Sequence, residues 1–255
     1  MPRPDASQKL AATKPKDGPS KGLIGGIIAA ILVVAVVVAV FVTQANKSDG
    51  SVAGAAVPTG GTKGGHGLRA YPDVKLKANA PTVDLYEDFQ CPICNDLEKA
   101  NGEQILQDAK SGKIKLVWHL MTFLEQNMQN APASTIAANG LYCAADAGKA
   151  AEYHKANFAG QPAKEGTGYT VANIKKFGKE AGITGAALTK FNSCVDKGTY
   201  KKYVKATADQ AGKDGVTGTP TVKINGKEIK NSSADYSSLL QTKGAWDKVL
   251  AKMTK

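Results

Sequence analysis

The sequence predicts an α/β domain that carries an inserted α-helical block and is preceded by a single transmembrane helix. Three observations lead to this prediction: an apolar run near the N-terminus, a strand–helix–strand unit around a Cys-x-x-Cys pair, and a β-hairpin followed by a helix near the C-terminus. The chain has 255 residues, of which 42% are hydrophobic. That length favours one packed domain with attached segments.

Residues 23–42, "LIGGIIAAILVVAVVVAVFV", form an uncharged run of 20 residues. As a helix the run is roughly 30 Å long, which matches the hydrocarbon core of a bilayer. Residues 1–22 are basic, so we expect them in the cytoplasm and the rest of the chain outside the cell membrane, which the protein crosses once. A cleaved signal peptide is the alternative, but the run exceeds a typical signal core, which favours a retained anchor.

Residues 43–68 are rich in Gly, Ser, Thr and Ala and read as a flexible linker. We expect the folded domain to cover residues 69–255. The chain has a net charge of +11, and without residues 1–68, which carry seven Lys/Arg and three Asp/Glu, the domain retains +7. Its lysines are spread along the sequence, as in an evenly solvated surface, and an extracytoplasmic address argues against a nucleic-acid partner.

The hydrophobic pattern gives the order of elements in the domain. In chain order we expect a strand at 82–88, a helix at 92–110, a strand at 113–124, a helical block at about 128–213, a hairpin at 219–229 and a helix at 235–253. The first three elements favour a right-handed crossover between parallel strands. The dipeptide Asn225-Gly226 is a strong signal for a two-residue hairpin turn. The domain therefore reads as a βαβ…ββα core interrupted by helices.

The stretch "EDFQCPIC" places Cys91 at the junction of the first strand and the first helix. Pro92 follows as the first helical residue, a position that suits proline. Cys91 then faces the free N–H groups of the helix N-terminus, which favour a thiolate. Cys94 lies almost one helical turn later, more shielded but within reach of Cys91. The spacing predicts a redox pair in which Cys91 is the nucleophile and Cys94 resolves the mixed disulfide.

Two other uses of the pair are weaker. A zinc site needs more ligands, and neither Cys143 and Cys194 nor the histidines show a second close spacing, so no metal is expected. A structural bridge across one helical turn closes too short a loop to restrict the unfolded chain much. The dipeptide Thr219-Pro220, where a proline opens a strand, raises the chance of a cis peptide bond and strengthens the redox interpretation.

"EDFQCPIC", the helical insertion and "GVTGTPTVKING" together resemble the DsbA-like thiol–disulfide oxidoreductases of the thioredoxin superfamily, in their membrane-anchored Gram-positive and actinobacterial form. The resemblance covers about residues 80–253. It implies a thioredoxin fold with an inserted helical domain and no cofactor. It also implies that Cys91 and Cys94 are catalytic, that Pro220 is a cis-proline beside the sulfurs, and that Thr219 binds substrate backbone. We expect a monomer.

Two positions depart from the family pattern. Strong oxidants of the family carry His where this chain has Ile93, which cannot stabilise the thiolate, so the resemblance leaves the redox potential open. The family acid six residues before the first cysteine is Leu85 here. Three nearby acids, Asp84, Glu87 and Asp88, are candidates for proton handling, and the competing interpretation for each is a solvated or strand-end acid.

Cys143 and Cys194 both fall in the helical block, 51 residues apart. Outside the cytoplasm two such thiols are usually paired, and the resemblance supports a structural disulfide. Two buried free thiols, or a relay to the active pair, are the alternatives. His119 and His154 show no partner that suggests catalysis. Trp118 and Trp246 are expected in the core.

The leading functional hypothesis is an extracytoplasmic disulfide oxidase that acts on unfolded exported proteins through Cys91-Pro92-Ile93-Cys94. The resemblance implies that a membrane partner similar to DsbB or a VKOR-like protein reoxidises it. A reductase or isomerase kept reduced by a membrane electron donor is the alternative with the same chemistry. A peptide-binding chaperone module, in which the disulfide is incidental, is the alternative from a different class.

Overall fold

The computed structural model of the protein describes residues 54–62, 64, 67–127, 132–163 and 169–255. The cytoplasmic segment predicted at 1–22, the transmembrane helix predicted at 23–42 and part of the linker predicted at 43–68 lie outside the described residues. Among the residues described, no helix is both long enough and apolar enough to cross a membrane.

The described chain contains five strands and nine helices. The strands are β1 (Leu68–Arg69), β2 (Thr82–Glu87), β3 (Lys115–Leu120), β4 (Thr221–Ile224) and β5 (Lys227–Glu228). The helices are α1 (Pro92–Leu97), α2 (Glu103–Lys110), α3 (Ala133–Asp146), α4 (Ala150–Ala159), α5 (Val171–Glu180), α6 (Gly185–Lys197), α7 (Lys201–Lys213), α8 (Ala234–Gln241) and α9 (Trp246–Met253). A π-helical turn, Glu98–Gly102, joins α1 to α2, and a 3₁₀ turn covers Phe123–Asn127.

The strands form one sheet in the order β1-β3-β2-β4-β5. Strands β2 and β3 are parallel, in register from Thr82 opposite Lys115 to Glu87 opposite Leu120, and the other neighbours are antiparallel. Parallel neighbours need a crossover, which α1 and α2 supply. At the β4–β5 turn Asn225 and Gly226 both have positive φ, 49° and 77°, as a primed hairpin turn requires. The predicted βαβ…ββα core is therefore present.

Helices α3 to α7 lie between β3 and β4 in the chain and form the inserted block. Cys143 on α3 and Cys194 on α6 are joined by a disulfide, which closes 51 residues of the insertion. In the same block the ring of Tyr142 meets that of Tyr203 edge-on at 5.0 Å. The core runs from this block into the sheet, and Trp118 and Trp246 are buried in it, as predicted.

The C-terminal segment differs from the single helix that the sequence predicts over 235–253. It forms two helices, α8 and α9, separated at Thr242–Ala245, where Gly244 has a φ of 80° that a continuing helix cannot accommodate. The buried Asn101 satisfies both helix ends. Its amide donates to the carbonyls of Leu239 (2.7 Å) and Thr242 (3.1 Å), and its oxygen accepts from the N–H of Trp246 (3.1 Å).

The strand predicted at 113–124 is also shorter, because the extended chain ends at Leu120 and a 3₁₀ turn follows.

The chain already contacts the domain before residue 69. The backbone N–H and hydroxyl of Thr59 both donate to Asp146 at 3.0 Å, and the N–H of Thr62 donates to the hydroxyl of Tyr203 at 2.9 Å. Part of the segment that reads as a linker thus packs on α3 and α7.

Removing the insertion disulfide should lower the free energy of unfolding. A closed loop of 51 residues restricts the unfolded chain by about 4 kcal/mol on the chain-entropy relation. We expect the Cys143→Ala/Cys194→Ala double variant to lose a stability of that order in urea unfolding, with Ser193→Ala as the control. A loss below about 1 kcal/mol would show that the bridge does not act through the unfolded chain.

Candidate functional site

Cys91 sits where β2 gives way to α1. It is the N-cap of α1, with extended backbone (φ −77°, ψ 117°) and Pro92 directly after it. Its N–H donates to the carbonyl of Asp88 at 2.9 Å, which closes the turn that delivers the sulfur to the helix N-terminus. Both Cys91 and Cys94 are free thiols, and Cys91 keeps 6% of its surface exposed while Cys94 is fully enclosed.

The pKa values of the two thiols are shifted in opposite directions. A hydrogen bond from the Cys94 thiol contributes most to lowering the pKa of Cys91, against burial, and the result is a pKa of about 6. The backbone N–H groups of Ile93 and Cys94 and a hydrogen bond to Thr219 add to this effect. Burial raises the pKa of Cys94 well above its usual value, and the neighbouring Cys91 and the charge of Glu87 raise it further. The site therefore favours one thiolate, on Cys91, at neutral pH.

The loop before β4 lies against the cysteines. The peptide bond Thr219–Pro220 is cis. The Cys91 sulfur lies 3.5 Å from the carbonyl oxygen of Thr219. Tyr236 of α8 holds the loop from behind, since its hydroxyl donates to the carbonyl of Pro220 at 3.0 Å. Burial, followed by the charges of Cys94 and Cys91, raises the pKa of Tyr236 to about 12, so its hydroxyl keeps its proton.

The inserted block holds the other side of the active-site loop. The amide of Gln161, just after α4, donates to the carbonyls of Phe89 (2.8 Å) and Cys91 (3.0 Å). Its oxygen accepts from the amide of Asn95 at 2.9 Å. The hydroxyl of Tyr169 donates to the same Phe89 carbonyl at 3.0 Å. These bonds tie the backbone on both sides of Cys91 to the insertion.

Asp88 fixes the loop from within. Its fully buried carboxylate accepts hydrogen bonds from the N–H of Gln90 (3.0 Å), the N–H of Leu124 (3.2 Å) and the hydroxyl of Ser134 (2.7 Å). Burial raises the pKa of Asp88 to about 6, although these hydrogen bonds oppose the rise. With three donors already bound, Asp88 is a positioning group for the turn.

Glu87 belongs to a second buried group, which we call the acid–histidine cluster: Glu87, Glu98 and His154. Nε2 of His154 lies 2.9 Å from Oε2 of Glu87, and Nδ1 of His154 lies 3.7 Å from Oε2 of Glu98. Burial raises the pKa of the Glu87 carboxyl well above its usual value. Burial and, after it, the charge of Glu87 raise the pKa of Glu98 to about 8. Burial lowers the pKa of His154, so its ring is neutral. The cluster can hold a proton next to Cys94.

Asp84 is separated from this cluster. It points to the opposite face of β2 from Glu87, because side chains alternate along a strand. There it pairs with Nε2 of His119 at 2.9 Å, and the His119 ring stacks on Tyr86 at 4.2 Å. Of the three predicted acids, the solvated interpretation is wrong for Glu87 and Asp88, which are both 0% exposed. His119 and His154, for which no catalytic partner was expected, each pair with a carboxylate, Asp84 and Glu87 respectively.

Known proteins share this architecture. A family model described as thioredoxin matches residues 77–242. The solved reduced form of the disulfide bond oxidoreductase DsbG from Mycobacterium tuberculosis is 25% identical, with a TM-score of 0.56 over 75% of this chain and 96% of that chain. Reduced DsbA from M. tuberculosis is 25% identical, with a TM-score of 0.55 over 74% and 99%. No curated protein sequence matches the chain significantly.

A further solved structure, MdbA from Actinomyces oris, is described as a thiol-disulfide oxidoreductase. It superposes with a TM-score of 0.60 at 21% identity, over 78% of this chain and 97% of that chain, and so supports the fold. The family match covers well over half of the sequence. The chain therefore belongs to the thioredoxin family, and within it to the DsbA-like thiol–disulfide oxidoreductases.

Several residues of the site are missing from the sequence-based set. Glu98 had a usable signal, since it lies four residues after Cys94 and hence on the same helix face. Gln161, Tyr169 and His154 come from the insertion and reach the site only through the tertiary fold. Tyr236 likewise comes from the C-terminal helix pair.

The pKa of about 6 for Cys91 can be tested in the reduced protein. The rate of iodoacetamide alkylation at Cys91 should reach half its maximum near pH 6 and fall about tenfold per pH unit below that, because only the thiolate reacts. Cys94→Ala removes the main stabilising hydrogen bond and should move the midpoint up, towards the usual value of about 8.5. A midpoint already near 8.5 in the unmodified protein would contradict this account of the site.

Proposed function

We propose that this protein is an extracytoplasmic disulfide oxidase that introduces disulfide bonds into unfolded exported proteins through Cys91-Pro92-Ile93-Cys94. The observation that carries the proposal is the asymmetry of the two thiols. The pKa of Cys91 is lowered to about 6 whereas that of Cys94 is raised. A stabilised Cys91 thiolate favours the reduced form of the protein, which makes its disulfide a better oxidant.

The exchange runs in two steps. A substrate thiolate attacks the Cys91 sulfur of the Cys91–Cys94 disulfide, the S–S bond breaks, and Cys94 leaves and takes up a proton. A second substrate thiolate then attacks the substrate sulfur of the mixed disulfide, and Cys91 leaves as the stabilised thiolate. The substrate is oxidised by two electrons, and Cys91 and Cys94 are reduced.

The proton for Cys94 has a nearby source. Cys94 is a poor leaving group because its pKa is raised by burial, by Cys91 and by the charge of Glu87. Of the acids predicted to handle protons, Glu87 is the one whose charge acts on Cys94. The neighbouring Glu98, whose pKa burial raises to about 8, holds a proton at neutral pH. We assign the proton transfer to Cys94 to Glu87 together with Glu98, and not to Asp84 or Asp88.

The loop at Thr219 and Pro220 is the proposed substrate groove. The Thr219 carbonyl lies beside the Cys91 sulfur, where the backbone of an extended substrate could pair with it. We infer that Pro220, next in the chain, shields the sulfurs and so keeps the mixed disulfide with substrate short-lived. The chaperone alternative gives no reason for the acidities of the two thiols.

The location and the partners follow from the rest of the chain. The insertion disulfide favours an oxidising compartment, and the apolar run at 23–42 favours a single-pass membrane anchor with the catalytic domain outside. We propose a membrane reoxidation partner resembling DsbB or a VKOR-like protein, and a monomeric enzyme.

Ile93 favours the alternative function, a disulfide reductase or isomerase. The residue is 47% exposed between the two cysteines. Its side chain offers no hydrogen bond or charge to the thiolate. A less stabilised Cys91 thiolate makes the disulfide a weaker oxidant, as expected of a reductase or isomerase. The redox state of Cys91 and Cys94 in acid-quenched cells decides between them: a disulfide supports the oxidase and a dithiol the reductase.

The enzymatic role is tested with a reduced, unfolded secretory protein as substrate. The oxidised enzyme should speed its disulfide formation, Cys91→Ser should abolish the effect, and Pro220→Thr should accumulate enzyme–substrate mixed disulfides. Ser193→Ala, which changes neither the active pair nor the insertion disulfide, is the matched control and should keep full activity. Equal activity of Cys91→Ser and the unmodified enzyme would eliminate the oxidoreductase assignment.

Ile93→His should make the protein a stronger oxidant. An imidazolium beside the thiolate should lower the pKa of Cys91, and each pKa unit is worth about 1.4 kcal/mol, or about 30 mV for this two-electron couple. Equilibration with glutathione should show a more positive potential for Ile93→His, whereas Ile93→Gln, polar but uncharged, should stay near the parent value. The same shift in both variants would assign the effect to lost apolar surface.

A further inference from the structure

The two cysteines of the insertion disulfide differ in their access to solvent. Cys143, on α3, has only 2% of its surface exposed. Cys194, in the last turn of α6, is only partly buried. A thiolate from outside can open a disulfide only at a sulfur that it can reach. Cys194 is therefore the side of the bridge that is open to attack.

Two grooves meet at Cys194. One has a volume of about 410 Å³ and is lined by both cysteines. The other has a volume of about 400 Å³ and is lined by Cys194, but not by Cys143. A thiolate attacks a disulfide in line with the S–S bond, from the side away from the leaving sulfur. The second groove, which contacts Cys194 alone, provides that approach.

The second groove is positively charged. Lys190 and Lys197 line it, and we call it the Lys190–Lys197 groove. The two lysines lie seven residues apart on α6 and hence on one face of that helix. No acid from the described part of the chain lines the groove. Positive charge attracts anions and stabilises the negative charge of an attacking thiolate, so this groove favours an anionic thiol over a cationic one.

Cys143 has the surroundings of a leaving group. The side-chain amide of Asn139, one turn earlier on α3, donates to the Cys143 sulfur at 3.7 Å. The orientation of this amide is fixed, because its oxygen accepts from the N–H of the buried Tyr200 at 2.8 Å, which leaves its NH₂ group for the sulfur. A donor at this position stabilises the thiolate that Cys143 becomes when the S–S bond breaks.

We propose that the insertion disulfide is a second thiol-exchange site, opened at Cys194 by a small anionic thiol in the Lys190–Lys197 groove. The thiolate of the small molecule forms a bond with the Cys194 sulfur, and the Cys143–Cys194 bond breaks. Cys143 leaves as a thiolate and takes up, through solvent, the proton that the small thiol lost.

A second molecule of the small thiol completes the exchange. Its thiolate attacks the small-molecule sulfur of the mixed disulfide, and Cys194 leaves and is protonated in the same way. Two small thiols are then oxidised to their disulfide, and Cys143 and Cys194 are reduced by two electrons. The covalent restraint between α3 and α6 is thus reversible. This exchange does not depend on the direction of the exchange at Cys91.

The test uses the full chain with the insertion disulfide intact. The folded protein is mixed with reduced glutathione, an anionic thiol, and acid-quenched at intervals. Free thiols are alkylated and each cysteine is mapped by mass spectrometry. We expect glutathione on Cys194 and the alkylating group on Cys143. Reaction at Cys91 is mapped separately and reports on the proposed function, so the failure of one does not hide the failure of the other.

The charge of the groove is tested with a matched pair of thiols and a matched pair of variants. Glutathione should open the bridge faster than the cationic thiol cysteamine, after each rate is divided by the thiolate fraction. Lys190→Gln/Lys197→Gln should slow glutathione by roughly fivefold, the effect of two charges several ångströms away in water. Lys243→Gln/Lys248→Gln, which removes two exposed lysines near the C-terminus, should react like the parent.

Three results would overturn the proposal. The first is a folded parent protein whose Cys143–Cys194 bond glutathione does not open. The second is equal amounts of glutathione on Cys143 and Cys194, because an unfolded chain offers both sulfurs alike. The third is a glutathione rate that is the same in Lys190→Gln/Lys197→Gln as in the parent, since the groove would then select no anionic thiol.

Discussion

A thiolate at Cys91 has to be stabilised in a site where only 6% of that residue's surface is exposed, and the arrangement around it follows from this requirement. Burial alone would favour the neutral thiol. Hydrogen bonds from the Cys94 thiol and from the first N–H groups of α1 outweigh burial and bring the pKa of Cys91 to about 6. These donors act only if the Cys91 sulfur is held at the helix N-terminus, which explains the dense bonding of the loop before it.

The same requirement explains why the pair is unequal. Cys94 donates the hydrogen bond that Cys91 needs, and it can do so only while it stays protonated. Its full burial and the nearby charge of Glu87 keep it so. The charge state of the acid–histidine cluster therefore matters for the redox pair, because the charge of Glu87 raises the pKa of Cys94. A change in the protonation of the cluster therefore changes the balance between the two sulfurs.

Local sequence signals predicted the parts of the site that depend on local structure. The junction at Cys91, the proline at the first helical position and the hairpin at Asn225-Gly226 each follow from a few adjacent residues, and the order of elements follows from periodicity. The break between α8 and α9 escaped prediction although Gly244 lies in it, since the helix ends it creates are satisfied by Asn101, more than 130 residues earlier. His154 escaped for the same reason: its partner Glu87 lies 67 residues away, and no spacing rule connects them.

The inserted block is part of the redox site in physical terms. The carbonyls of Phe89 and Cys91 are held by Gln161 and Tyr169, the carboxylate of Asp88 by Ser134, and the carboxylate of Glu87 by His154. All four of these partners belong to the insertion or its connecting loops. In a minimal βαβ…ββα core the Phe89 carbonyl and the Glu87 carboxylate would lose these partners, at a cost of about 1–3 kcal/mol for each buried group left unsatisfied. The turn that presents Cys91 therefore depends on the insertion, and the disulfide between α3 and α6, which restrains the insertion, also supports the geometry of the redox pair.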